Sequence, residues 1–220
     1  MTNNFFWICG KHSVLSALKQ KKRLVKKIVC TKKEGFLDEL KAKYEIKDKS
    51  FFNNKFTNLA HQNIAAFVST LNLEEFNKKT KLNSFLNIVI IENITDTKNI
   101  GNILRSCCLF GIDMVLFNKR TFKQDSTAMI KSASGAVDAL NIMQCSNILN
   151  AIRILKNNNF WVTAIDMSAQ ENLKTFKWSQ KNVIIIGSEN KGIKSNTLKN
   201  SDYIIKINTK QTAIDSLNIS

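Results

Sequence analysis

The chain has 220 residues, 44% of them hydrophobic, no proline and a formal net charge of +16. That length allows one large domain or two small ones, and the apolar content is enough for a buried core. No apolar run approaches the ~18 residues of a membrane-spanning helix and no signal-peptide pattern opens the chain, so a soluble, cytoplasmic protein without a membrane partner is expected.

Residues 1–70 alternate short strands and helices. Residues 6–9 are apolar, Gly10 turns the chain, and 13–18 predict a short helix that runs into the basic stretch KQKKRLVKK at 19–27. Strands are predicted over 25–30 and 64–68, and helices over 36–44 and 54–59. The sum is a small α/β domain, preceding a polar segment at 71–84 that reads as a linker. Residues 1–84 hold 17 Lys and Arg against 7 Asp and Glu, and 85–220 hold 16 against 10. Such an excess favours a polyanionic partner, nucleic acid ahead of an acidic membrane surface. Part of it matches the Lys, Asn and Ile bias of an AT-rich coding sequence.

From residue 85 strands and helices alternate, which predicts a mostly parallel sheet. Residues 88–91 are an apolar run stopped by Glu92. A polar loop follows, then a helix in which Ile100, Ile103, Leu104, Cys107 and Cys108 share helical spacing, closed by Gly111 as a C′ glycine. Further strands are predicted at 114–117, 140–143, 160–165, 183–186 and 204–207, with helices at 126–133 and 148–155. The five cysteines (Cys9, Cys30, Cys107, Cys108 and Cys145) include no C-x-x-C pair. Cys9 with His12 falls short of the four ligands of a structural zinc site, so no metal is expected and all five read as reduced thiols.

Three segments carry chemistry. In the first, TDTKNIGNILRSC, the N-x-G-x-x-x-R pattern places Gly101 and Arg105 one helical turn apart. Arg105 points away from the apolar stripe, and Gly101 leaves room for another backbone or a substrate. The loop lies where α/β proteins place ligands, outside the carboxyl end of a strand. In the second, Gly187-Ser188-Glu189-Asn190-Lys191-Gly192 follows a strong buried strand, so that two glycines expose backbone amides around a carboxylate. It is close to a phosphate-binding loop, which needs Lys and Ser directly after the second glycine. Ile193 intervenes and shifts Lys194 and Ser195 by about 100° around a helix, which disfavours that reading. The third segment, residues 214–220, is a set of small polar groups after a strand and gains its weight from the other two.

Together these segments resemble the SpoU (TrmH-like) family of RNA 2′-O-ribose methyltransferases of the SPOUT class. The matching stretches are TDTKNIGNILRSC, IIIGSENKGI and SLNIS, while Gly10 to Val14 (GKHSV) and His61 to Ala65 (HQNIA) resemble the auxiliary domain of the RlmB branch. The resemblance implies an α/β, SPOUT-type (trefoil-knot) catalytic domain at 85–220 with a mostly parallel sheet, preceded by a small α/β RNA-binding domain at 1–70. It implies a homodimer that uses S-adenosyl-L-methionine to methylate a ribose of RNA, a guanosine of large-subunit rRNA in the RlmB branch and tRNA in sister branches. Asn99, Arg105, Glu189, Ser216 and Asn218 become the catalytic candidates; Ile186, Gly187, Glu189, Gly192, Ile207 and Leu217 become the cofactor contacts. The family assigns hydroxyl activation to Arg105. A guanidinium is effectively always protonated, so holding a phosphate and stabilising a developing alkoxide is its physical role.

Two departures from the pattern carry consequences. The resemblance implies a further helix after the third segment, where the sequence given ends, and the loop at 208–213 lacks the expected glycine and proline. A protein that keeps the fold and binds RNA without turnover is therefore the rival expectation.

Overall fold

The runs IVII at 88–91 and VIII at 183–186 are β-branched and apolar throughout, and such strands belong in the interior of a parallel sheet with both faces covered. The computed structural model describes residues 4–57, 59, 61–189 and 191–208. In chain order the elements are β1 (Phe5–Cys9), α1 (Lys11–Gln20), β2 (Val25–Cys30), α2 (Gly35–Glu39), β3 (Glu45–Ile46), α3 (Lys49–Lys55) and β4 (Ile64–Ser69). There follow β5 (Asn87–Ile91), α4 (Thr97–Leu109), β6 (Met114–Asn118), α5 (Thr127–Ala133), α6 (Ala136–Ala139), β7 (Ile142–Cys145) and α7 (Ile148–Lys156). The last are β8 (Trp161–Ile165), β9 (Glu171–Asn172), β10 (Asn182–Ile186), α8 (Ser195–Lys199) and β11 (Tyr203–Lys206). The chain divides into two compact units. One gathers the described residues up to Asn72 with Thr97–Arg105 and Lys123–Ala139; the other gathers Leu73–Asp96, Ser106–Phe122 and the described residues from Leu140 onward.

The first unit is built on a sheet of order β1-β4-β2-β3, antiparallel except for the β2–β3 pair. Ile8, Val14, Ala17, Ile28, Ile64, Ala66 and Val68 close its core together with Ile130 of α5. The predicted helix over 36–44 stops at Glu39. Lys41 takes a left-handed φ of 52°, and the bonds Ala42 N to Leu37 O (2.8 Å) and Lys41 N to Asp38 O (2.9 Å) complete a Schellman cap. The next helix lies earlier than the predicted 54–59, because the Asp48 side chain caps it by accepting from Phe51 N at 2.8 Å. Gln124 also belongs here, its side-chain amide pairing with both backbone groups of Leu71 at 2.6 and 3.2 Å.

α4 begins in the same unit and packs against α5 at Gly101. A Cβ at Gly101 would overlap the Met129 carbonyl and come within 2.7 Å of Ser132 Cβ and 3.0 Å of Ala133 N. Gly101 is thus the close-approach position expected of it, and the neighbour is the backbone of α5. The stop at Gly111 holds as well: its φ is +69° and Ile112 N bonds back to Cys107 O at 2.9 Å.

The second unit carries a seven-stranded, all-parallel sheet of order β7-β6-β5-β10-β8-β11-β9. Its core includes Ile88, Ile90, Met114, Leu116, Ile152, Leu155, Val162, Val183, Ile185 and Ile193. From β5 the chain steps outward through β6 and β7, then crosses and fills the other side. The join between β5 and β10 is therefore a topological switch point. Residues 73–82, part of the predicted linker, lie against this unit. Phe76 and Leu82 are buried in its core, and Phe76 N and Gln144 N exchange bonds with Gln144 O and Glu74 O at 2.8 and 3.1 Å. No helix among the described residues is long and apolar enough to cross a membrane.

Candidate active site at the strand ends

The two motif loops leave adjacent strands of the second unit. Ile91 and Ile186 are register partners, and Glu92 N continues the ladder to Ile186 O at 2.9 Å. Glu92, which stops the β5 run, is 2% exposed. Its carboxylate accepts from Lys194 N at 3.1 Å and from Thr197 Oγ1 at 3.0 Å, so that it anchors the start of α8 to the end of β5. A buried carboxylate needs such partners, and its position directly after an apolar run is the signal that could have marked it.

The glycine segment closes on itself. Gly192 N bonds to Ser188 O at 2.8 Å, Lys191 N to Ser188 Oγ at 3.1 Å, and Ser188 and Gly192 form an isolated antiparallel bridge. Gly192 turns the chain at φ +56°. A Cβ at Gly187 would fall 2.6 Å from Ile193 N and 2.7 Å from Gly192 O, so only glycine fits. Gly187→Ala must push backbone aside, and a loss of about 1–3 kcal/mol in unfolding free energy is expected by urea denaturation. Wild-type stability in that variant would show the turn to be pliable. Ile193 plugs the core beneath the turn. That explains why Lys194 and Ser195 stand one place late for a phosphate loop.

Two neighbours of the turn escaped the sequence reading. The Asn93 side chain, on a residue with φ 59°, donates to Gly192 O at 3.5 Å. Asp166 follows β8, its Oδ1 accepting from Ser168 N and Oγ at 2.9 and 2.6 Å, with Oδ2 facing Gly192. Neither sits in a motif; only the sheet order brings them there.

The candidate residues divide as follows. Ile186 is half-buried at the end of β10, Gly187 is buried, Gly192 is half-buried and Glu189 is exposed between them. Ile207 follows β11 and is 38% exposed. Asn99 and Arg105 belong to the first unit, both on α4, Asn99 half-buried in its first turn and Arg105 exposed. The opposite face of α4 buries Ile100, Ile103, Leu104 and Cys107. Burial pushes the Cys107 thiol up to about 12, so it is no nucleophile at neutral pH. Ser216, Leu217 and Asn218 lie outside the described residues. Among the described residues no group of three His, Cys, Asp or Glu side chains could hold a metal.

A parallel sheet whose switch point carries a self-closed glycine turn, backed by a buried carboxylate, defines an α/β protein that takes a ligand across its strand ends. The chain belongs to the SpoU rRNA Methylase family: that family's model matches residues 86–220, and the model for RNA 2′-O ribose methyltransferase substrate binding matches residues 7–74. An uncharacterized tRNA/rRNA methyltransferase of Borreliella burgdorferi is 36% identical over 148 residues, which are 67% of this chain and 63% of that protein. A second one, of Mycoplasma pneumoniae, is 28% identical over 228 residues, covering 97% of this chain and 92% of the relative. The crystal structure of an AdoMet-bound rRNA methyltransferase from Sinorhizobium meliloti matches with a TM-score of 0.80 at 17% identity, over 98% of this chain and 82% of that one. At that identity the likeness establishes the SPOUT-type fold.

Proposed function

We propose that the chain transfers the methyl group of S-adenosylmethionine to a ribose 2′-hydroxyl of RNA, with a guanosine of large-subunit rRNA as the substrate. One observation carries the reading: the glycine turn at the β5–β10 switch point, in a chain whose two parts match a methylase and its RNA-binding companion. A glycine-bracketed turn at the carboxyl ends of two neighbouring parallel strands suits a nucleoside ligand. The bound cofactor supplies an electrophilic methyl group; the residues supply the rest. Gly187, Glu189 and Gly192, with Ile186, Ile207 and Leu217, hold the cofactor side. Asn99, Arg105, Ser216 and Asn218, with Glu189, form the substrate side. There Arg105 holds a phosphate next to the reacting ribose and stabilises the oxygen as its proton passes to water. Orientation for in-line attack contributes much of the rate.

In this reading residues 1–70 bind RNA, 71–84 connect, and 85–220 carry out catalysis as a knotted homodimer. Reduced cysteines suit a cytoplasmic setting. The experiment offers labelled S-adenosylmethionine with unmodified large-subunit rRNA and, separately, tRNA. Incorporation into the rRNA at one guanosine ribose is the expected result. Incorporation into tRNA alone would move the protein to a sister branch. RNA binding with no incorporation into either would leave a binding protein.

A further inference from the structure

The sheet of the first unit has two unlike faces. Ile8, Ile28, Ile64, Ala66 and Val68 point into the core of that unit. On the other face Phe52 of α3 and Phe56 at its C-cap pack on Val29 of β2 and Ala65 of β4 and cover only part of the sheet. From them a row of three partly buried rings continues across β1 and β4, beginning with Trp7, which packs edge-on against Phe56 at 5.4 Å. Phe5 and Phe67 lie 5.5 Å apart at 34°, and Phe67 and Trp7 lie 5.1 Å apart at 35°. Strand alternation puts Phe5 and Trp7 on the same side, and Trp7 pairs across the ladder with Phe67.

Cations line this row. Lys26 Nζ stands 5.4 Å over the Phe5 ring and Lys55 Nζ 4.7 Å over Trp7, both lysines exposed. Lys55 also stands 5.5 Å from Phe51, over which Lys47 lies at 6.0 Å. A row of neighbouring, mutually tilted rings edged by exposed cations matches what unpaired nucleotides require, aromatic faces for bases and positive charge for phosphates.

We propose that the Phe5, Phe67 and Trp7 row, flanked by Lys26 and Lys55, is a stacking platform for the unpaired bases of single-stranded RNA. It rests on the RNA-methylation reading only for the choice of polyanion. Two or three bases stack on the rings while the lysines swing to the backbone. The platform gives the protein a grip on loops and unpaired segments, and not on duplex.

The test uses the full chain carrying Trp161→Phe and Trp178→Phe, which leaves Trp7 as the sole indole reporter. Titration with a single-stranded RNA of about ten nucleotides should quench Trp7 fluorescence, whereas the same sequence as a duplex should not. Phe5→Leu with Phe67→Leu keeps the apolar packing and removes the rings, and should weaken binding by about tenfold. Lys26→Gln with Lys55→Gln alters only exposed side chains. The slope of log affinity against log salt should become shallower by about 0.7 for each lysine that no longer meets a phosphate. Equal quenching by duplex, or unchanged affinity and salt slope in these variants, overturns the proposal. Binding of labelled S-adenosylmethionine is measured on the same samples. If it persists while quenching fails, the platform alone falls; if quenching holds without it, the methylation reading falls and the platform stands.

Discussion

Replacing Arg105 by alanine is expected to slow methyl transfer by about two to three orders of magnitude, the loss seen when one donor to a developing oxyanion is removed. Cofactor affinity and thermal stability should stay as they were. The expectation follows from how α4 is built. Its apolar stripe is buried at Ile100, Ile103, Leu104 and Cys107, while Arg105 is exposed, so truncation opens no cavity. The part that carries Arg105 is seated by the close fit of Gly101 on α5. The guanidinium is thus carried on a helix and not on a loop, as suits a group acting through position. Arg105→Lys keeps the charge and loses the planar fork, and should fall between the two. Single-turnover transfer from labelled S-adenosylmethionine separates the outcomes. An alanine variant with the full rate would remove Arg105 from the mechanism.

Much of the strand-end arrangement was readable from the sequence because buried parallel strands announce themselves as unbroken apolar runs. Residues 88–91 and 183–186 could be found without knowing that they would be neighbours. Gly111 was readable too, since a glycine after the last periodic apolar residue has one common use. What stayed hidden depends on contacts between residues far apart in sequence. Glu92 looks like the end of a strand until Lys194 and Thr197 arrive to bind its carboxylate. Asp166 and Asn93 gain meaning only from the order in which strands cross. Residues 73–82 are polar enough to read as a linker, yet Phe76 and Leu82 are buried. Local rules also misplaced two helices. A lysine in a left-handed turn ended α2 early, and the Asp48 cap started α3 before the residues that looked most helical.

Asp138→Ala is expected to cost about 3–5 kcal/mol in unfolding free energy, because it strands a buried charge. Arg23 Nε donates to Asp138 Oδ1 at 2.6 Å; the Arg23 side chain is 0% exposed and that of Asp138 4%. The two terminal nitrogens of Arg23 are buried with no partner among the described residues, so the carboxylate is the guanidinium's single strong acceptor there. The pair joins the residues before β2 to α6, across a separation of 115 in sequence, beside the bond from Ser16 Oγ to Gly135 O at 2.7 Å. Burial pushes the Asp138 carboxyl up and the Arg23 guanidinium down, so desolvation works against both charges even while they attract. The stability therefore lies in not leaving either partner alone. Arg23→Met combined with Asp138→Leu should recover most of what the single change loses, and can match the unmodified protein. Urea denaturation of the two variants decides the matter. If the double variant is as unstable as Asp138→Ala, packing around the pair and not its charge is what holds this part of the first unit together.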